Sequence, residues 1–262
     1  MTEAGLVVEG LEVHRMGSPV VRDVDLVAPP GQVTVMLGTN GAGKTTLLEA
    51  ISGIVPSAKG RISLDDHDMT GQSRPKRARL GLAHVEQGRA IFPELTAEEN
   101  LLVARPKSQI EGAFDLFPEL ANRRNARAAL LSGGEQQMLV IARALVTEPK
   151  VLMLDEMSLG LAPIVLKRLV PIVRELADRG VGVLLVEQYA HLALAHGDRG
   201  YVLSRGEIAY EGDCRDLVDD PDRLRALYLG GPSADDDGPP SDLGQNPHVE
   251  TTGETKEVPA GP

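Results

Sequence analysis

One stretch limits what this chain can fold into: Gly38-Thr39-Asn40-Gly41-Ala42-Gly43-Lys44-Thr45-Thr46, of the form G-x-x-x-x-G-K-[ST]. The apolar, β-branched run from Val33 to Leu37 leads into it and predicts a buried strand. Leu47, Leu48, Ile51 and Ile54 follow at helical spacing, and Gly53 offers a stop. A strand, a glycine-rich turn and a helix in this order form a cradle. The glycines let successive backbone N–H groups point inward, and the helix N-terminus adds positive potential. Lys44 can reach β- and γ-phosphates, and the Thr45 hydroxyl is a natural Mg²⁺ ligand. The bare pattern recurs by chance in loops that bind nothing. Flanked this way, it predicts a nucleotide site.

Short strands with turns are expected before it (Leu6–Val8, Leu11–Val13 and Val24–Val27), with Gly17-Ser18-Pro19 as punctuation. After it, Gly60–Leu64 reads as a strand closed by the polar turn Asp65–Asp68. Arg74, Lys76, Arg77 and Arg79 read as a solvated helix face, and Leu82–Val85 as a strand ending at Glu86-Gln87-Gly88. From about residue 89 to 143 the pattern is helical. Thr96 and Glu99 predict a capping box, a second helix is expected over Ser108–Phe114 with Pro118 near its end, and a third from Ser132. Strands return at Val151–Leu154 and Val181–Val186, around a helix that opens at Pro163, bends at Pro171 and stops at Gly180. Ser204-Arg205-Gly206 predicts a hairpin.

The net charge of −11 argues against nucleic acid as the main partner. Part of that acidity is local: residues 232–262 carry net −6 and few apolar side chains, and are expected to form a disordered acidic tail after a domain spanning 1–231. Cys214 is the sole cysteine, so no internal disulfide is available and a reducing compartment is expected. No secretory leader and no apolar run of roughly 20 residues is legible, so membrane contact is expected only through a partner.

Two further motifs suit a nucleotide site. Val151-Leu152-Met153-Leu154-Asp155-Glu156 is an apolar strand ending in two acids. Asp155 is placed to reach Mg²⁺ beside Thr45, and Glu156 to hold a water for in-line attack on a γ-phosphate. Leu131-Ser132-Gly133-Gly134-Glu135-Gln136-Gln137 puts two glycines at a helix start, a second anion-binding end. One phosphate loop does not need two such ends, so the economical reading closes this one over a nucleotide held by another copy.

Here the sequence resembles the ATP-binding subunits of ABC transporters, whose LSGGQ-like signature is matched by Leu131 to Gln136. The resemblance implies an α/β fold of the ABC ATPase type, with a helical subdomain and an N-terminal antiparallel β portion. It implies two subunits paired head to tail over two ATP molecules, with Ser132, Gly133, Gly134 and Glu135 acting in trans. It also implies Gln87 in a loop that ligands Mg²⁺, and Gln188 where most of the family has a switch histidine. The runs Ser132–Met138, Ser158–Pro163, Val186–Gln188, Asp198–Leu203 and Tyr228–Gly231 are similar to the second ATPase of branched-chain amino-acid importers. Against the wider family, Met16 stands where an aromatic ring usually stacks on adenine. Glu86 and Met157 replace common prolines, Ala162 replaces an aspartate, and the insert between Asn100 and Leu116 is short. The expectation is a peripheral ATPase on the cytoplasmic face of a permease, using ATP and Mg²⁺ and paired with a like or different ATPase subunit. A nucleotide-gated interaction module with slow turnover is the competing class.

Overall fold

Two long antiparallel strands open the chain, β1 (Leu6–Arg15) and β2 (Ser18–Ala28), in a computed structural model that describes residues 5–106, 109–188 and 190–229. The short strands read from sequence are one hairpin. Its register shifts between Val8 and Leu11, where Gly10 takes φ 55°, and again between Leu11 and Val13, where Asp23 on the facing strand takes φ 45°. Such bulges break the alternation that a sequence reading follows. Met16 (φ 49°) and Gly17 (φ 80°) form the two-residue turn, both left-handed as a twisted hairpin requires.

The phosphate-loop strand β3 (Val33–Leu37) follows, then helix α1 (Lys44–Ser52), β4 (Lys59–Leu64) and the short β5 (His67–Asp68). Ser63 pairs with Asp68 and Leu64 with His67, so only Asp65-Asp66 is turn and the expected four-residue turn is a tight hairpin. Strands β1, β2, β4 and β5 make one antiparallel sheet in the order β2-β1-β4-β5. Helix α2 (Arg74–Leu80) leads into β6 (Leu82–Val85). Its Arg74, Lys76 and Arg79 are solvated as expected, but Arg77 is buried. The Arg77 guanidinium donates to the carbonyls of Ala50 and Ile51, both at 2.6 Å, and to Gln72 O at 2.9 Å. It thereby serves the Ile51 carbonyl at the last turn of α1 and adds a second bond to the Ala50 carbonyl, which the Gly53 N–H already holds at 3.1 Å.

The helical insert contains α3 (Ala97–Leu102), α4 (Glu111–Leu116), α5 (Pro118–Ala121), a 3₁₀ turn at Ala128–Leu130 and α6 (Gly133–Leu145). Both capping boxes form: Thr96 with Glu99, and Ser132 with Glu135. The second helix starts at Glu111 rather than Ser108, which lies outside the described residues. That helix ends at Leu116, with Pro118 close to its end as expected, and Pro118 also opens α5, where its missing N–H is not needed.

Strand β7 (Val151–Asp155), helix α7 (Pro163–Asp178) and β8 (Gly182–Glu187) follow, with Pro163 in the first turn of α7 and Pro171 inside it. Then come α8 (Ala190–Leu194), β9 (Arg199–Ser204), β10 (Glu207–Asp213), α9 (Cys214–Asp219) and α10 (Pro221–Leu229). The predicted β9–β10 hairpin turns on Arg205 (φ 51°) and Gly206 (φ 88°). The second sheet runs β10-β9-β3-β8-β7-β6, parallel except for the β9–β10 pair.

The period of two along the central strands sorts their side chains into two cores. Val33, Val35, Leu37, Leu152, Leu154, Val183 and Leu185 face the core shared with α6, α7 and the insert. Met36, Val151, Met153, Leu184 and Val186 face α1 and the antiparallel sheet. Leu47, Leu48 and Ile51 of α1 are fully buried there, worth about 2 kcal/mol each. The parallel sheet is therefore covered on both faces, which leaves its strand ends as the place for a site. No helix among the described residues is long and apolar enough to cross a membrane. The tail expected over 232–262 lies outside the described residues.

Candidate nucleotide-binding site

The carboxyl ends of β3, β6, β7 and β8 deliver four loops to one cavity of about 410 Å³. From the loop after β3 come Asn40, Gly41, Gly43, Lys44, Thr45 and Thr46; from the neighbouring loops come Glu156, Leu159, Gln87 and Gln188, with Val20 of β2 closing one side. Gly38 allows the close approach at its entrance, since a Cβ there would lie 2.4 Å from the carbonyl oxygen of Leu203. Gly43 takes φ 107° at the N-cap of α1, and no side chain caps that helix. The first-turn N–H groups of α1 thus face the cavity without a side-chain acceptor.

Lys44 is buried and held from three sides. Its Nζ donates to Gly38 O at 2.8 Å and Thr39 O at 3.2 Å, and stands 3.5 Å from Glu156 Oε1. The other Glu156 oxygen accepts from Gln87 Nε2 at 2.9 Å. Glu156 has φ 47°, uncommon for a side-chain-bearing residue, and its N–H bonds Val186 O at 2.9 Å. That backbone bond fixes the turn after β7 against β8. Asp155, the last residue of β7, is 2% exposed and neither carboxylate oxygen has a hydrogen-bond partner in the protein. Burial pushes its pKa above the usual carboxylate range; the approach of the Thr45 hydroxyl opposes this, and the Glu156 charge adds to it. A buried, unpaired acid beside a hydroxyl and a lysine calls for a cation.

The structure brings Gly38–Thr46, Gln87, Asp155, Glu156 and Gln188 to one place. It does not bring Ser132–Glu135 there; none of them lines the cavity. Met16 sits at the tip of the β1–β2 hairpin, fully exposed and outside the cavity lining.

Sequence reasoning missed three residues here. Glu187, fully buried at the end of β8, accepts from the N–H (3.1 Å) and the hydroxyl of Ser158 and so ties the loop after Glu156 to the loop carrying Gln188. Burial raises its pKa and the two Ser158 bonds oppose the rise. Tyr228 of α10 donates to the carbonyl of Gln188 at 3.3 Å, and burial pushes its phenol up to about 12. Arg89, two residues past Gln87, reaches Gly160 O at 3.2 Å. The glutamate beside Gln188 was a legible signal; the other two partnerships join segments far apart in sequence.

This arrangement has counterparts among known proteins. The chain is 40% identical over 218 residues to the high-affinity branched-chain amino acid transport ATP-binding protein BraG of Pseudomonas aeruginosa, covering 80% of this chain and 93% of BraG. It is 35% identical over 219 residues to the lipopolysaccharide export system ATP-binding protein LptB of Acidithiobacillus ferridurans, covering 80% of this chain and 90% of that protein. Its fold matches the crystal structure of the ADP conformation of MJ1267, an ATP-binding cassette of an ABC transporter, with a TM-score of 0.78 at 27% identity, over 87% of this chain and all of that one. The family model described as "ABC transporter" matches residues 21–158, and with these likenesses the chain belongs to that family, as one of its ATP-binding and ATP-hydrolysing subunits.

Proposed function

We propose that the protein energises a membrane importer, most plainly one for branched-chain amino acids, working as one of a head-to-tail pair on the cytoplasmic face of a permease. The 40% identity to BraG carries this reading. The 35% identity to LptB favours a second reading, the ATPase of an exporter of a larger solute. A groove of about 790 Å³ between α2, β6 and the insert, with exposed Phe92 and Val103 on its wall, offers a seat for a membrane partner.

In the proposed cycle Lys44 and the free N–H groups of α1 hold the triphosphate. The unpaired oxygens of Asp155, the Thr45 hydroxyl and the Gln87 amide oxygen fit Mg²⁺, which takes few protein ligands and shares phosphate oxygens. When bound, Mg²⁺ neutralises charge on the phosphates. Glu156 accepts the proton of the attacking water, oriented by Gln87 and held by the left-handed turn at its own backbone. Gln188 donates a hydrogen bond to the γ-phosphate but cannot carry its proton. Ser132, Gly133, Gly134 and Glu135 complete the site from the second subunit.

The test is uptake. Cells carrying Lys44→Ala should lose uptake of leucine, isoleucine or valine, and a permease should purify with the wild-type protein from solubilised membranes. Normal uptake of all three, with components of an export assembly among the purified partners, would overturn the importer reading.

A further inference from the structure

Arg89 stands where three loops of one chain meet. Its Nη2 donates to Gly160 O, in the loop after β7. Both Nη atoms also lie 2.9 Å from where a Cβ on Gly133 would sit, directly over the first residue of α6. A guanidinium is electrostatically out of place there, because a helix N-terminus already carries partial positive charge. Among the described residues Arg89 forms no ion pair that would offset this. Glu135, the acid of the same turn, is engaged by the Ser132 N–H at 2.7 Å and faces Arg123 at 3.8 Å. Two sources of positive potential pointed at one spot, with no acid between them, describe half of an anion site.

We propose that Arg89 is a phosphate-binding residue acting in trans: it contacts the γ-phosphate of ATP held on the phosphate loop of a second copy of this chain, beside Ser132 and Gly133. The inference rests on the head-to-tail pairing proposed above. Arg89 belongs to the same loop as Gln87, which touches Glu156 of its own chain. One loop therefore addresses both nucleotides of the pair, through Gln87 within its own chain and through Arg89 across the interface. The planar fork of arginine suits two oxygens of one phosphate, so lysine replaces it only in part.

The experiment compares Glu156→Gln, Glu156→Gln/Arg89→Ala and Glu156→Gln/Arg89→Lys chains by size-exclusion chromatography with light scattering across a MgATP titration. Half-maximal pairing should need at least about tenfold more ATP in the alanine variant, with lysine in between. Affinity for ADP and the thermal midpoint of the unpaired chains should be alike in all three. Equal ATP requirement overturns the proposal. A lower requirement also overturns it and makes Arg89 a latch that opposes pairing. No ATP-dependent pairing even with Arg89 intact overturns the self-pairing reading itself. A second arm mixes Glu156→Gln/Lys44→Ala with Glu156→Gln/Arg89→Ala chains. Action in trans leaves one intact composite site, which should trap about one ATP per mixed pair at the concentration that suffices for Glu156→Gln alone. Action within one chain leaves no intact site, and failure to trap ATP there overturns the proposal.

Discussion

The chain uses the same device twice, glycines ahead of a helix, and the two ends are finished differently. At α1 the N-cap is Gly43 and no side chain caps the helix. At α6 the N-cap is Ser132, whose hydroxyl accepts from the Glu135 N–H at 3.3 Å while the Glu135 carboxylate accepts from the Ser132 N–H. The α1 end leaves its donors open and surrounds them with Lys44, Asp155 and Glu156. The α6 end has spent two donors on itself and retains those of its glycines. An uncapped helix start is unfavourable unless a ligand completes it, whereas a capped one is stable alone. The first end is therefore built to bind, and the second to assist.

Four substitutions probe that contrast. The largest effect is expected at Glu156→Gln, which should lower ATP turnover by roughly 10²- to 10⁴-fold while ATP still binds, because an amide accepts no proton. Phosphate-release kinetics beside calorimetry will check it; wild-type turnover would remove Glu156 from the chemistry. Lys44→Ala should weaken ATP binding by roughly 100-fold, with the fold intact by circular dichroism, since a buried charged donor is lost from the phosphate. Unchanged affinity would mean that the open α1 end does not hold the nucleotide. At the other terminus of α1, Arg77→Met should cost about 2 kcal/mol of stability, by stranding the buried Ile51 carbonyl, and leave ATP affinity within about twofold. Urea unfolding with and without ATP separates the two. The smallest effect is predicted for Ser132→Ala: about 1 kcal/mol of stability for the lost cap, with ATP affinity of the unpaired chain unchanged. A loss of affinity in that unpaired chain would contradict the division of labour between the ends.

What the sequence made legible was local. Capping boxes need residues three apart, hairpin turns need a glycine in the right place, and the Thr96–Glu99 box, the helix start at Ser132 and the turn at Arg205-Gly206 stand where expected. The phosphate loop carried its own context in the flanking strand and helix. The misreadings came from geometry that composition does not encode. Bulges at Gly10 and Asp23 hid a continuous hairpin, because the alternation of buried residues slips there. Arg77 is buried only because the carbonyls it serves lie 26 and 27 residues earlier. In the site, Asp155 and Glu156 announced themselves at the end of an apolar strand. Tyr228 did not, since its partner Gln188 is 40 residues away.

The double-faced strands also govern which changes of length the protein tolerates. A change of length that slid β7 by one residue in its register would send Leu152 and Leu154 into the core of α1, and Val151 and Met153 into the core of α6. The same slip would carry Asp155 off the strand end that sets it near Thr45. The connection between α3 and α4 belongs to neither sheet, and a deletion there reverses no side chain in either core. Insertions and deletions should therefore accumulate in the helical insert and be purged from β3, β7 and β8, so that relatives drift in the surface offered to partners while keeping one spacing at the nucleotide.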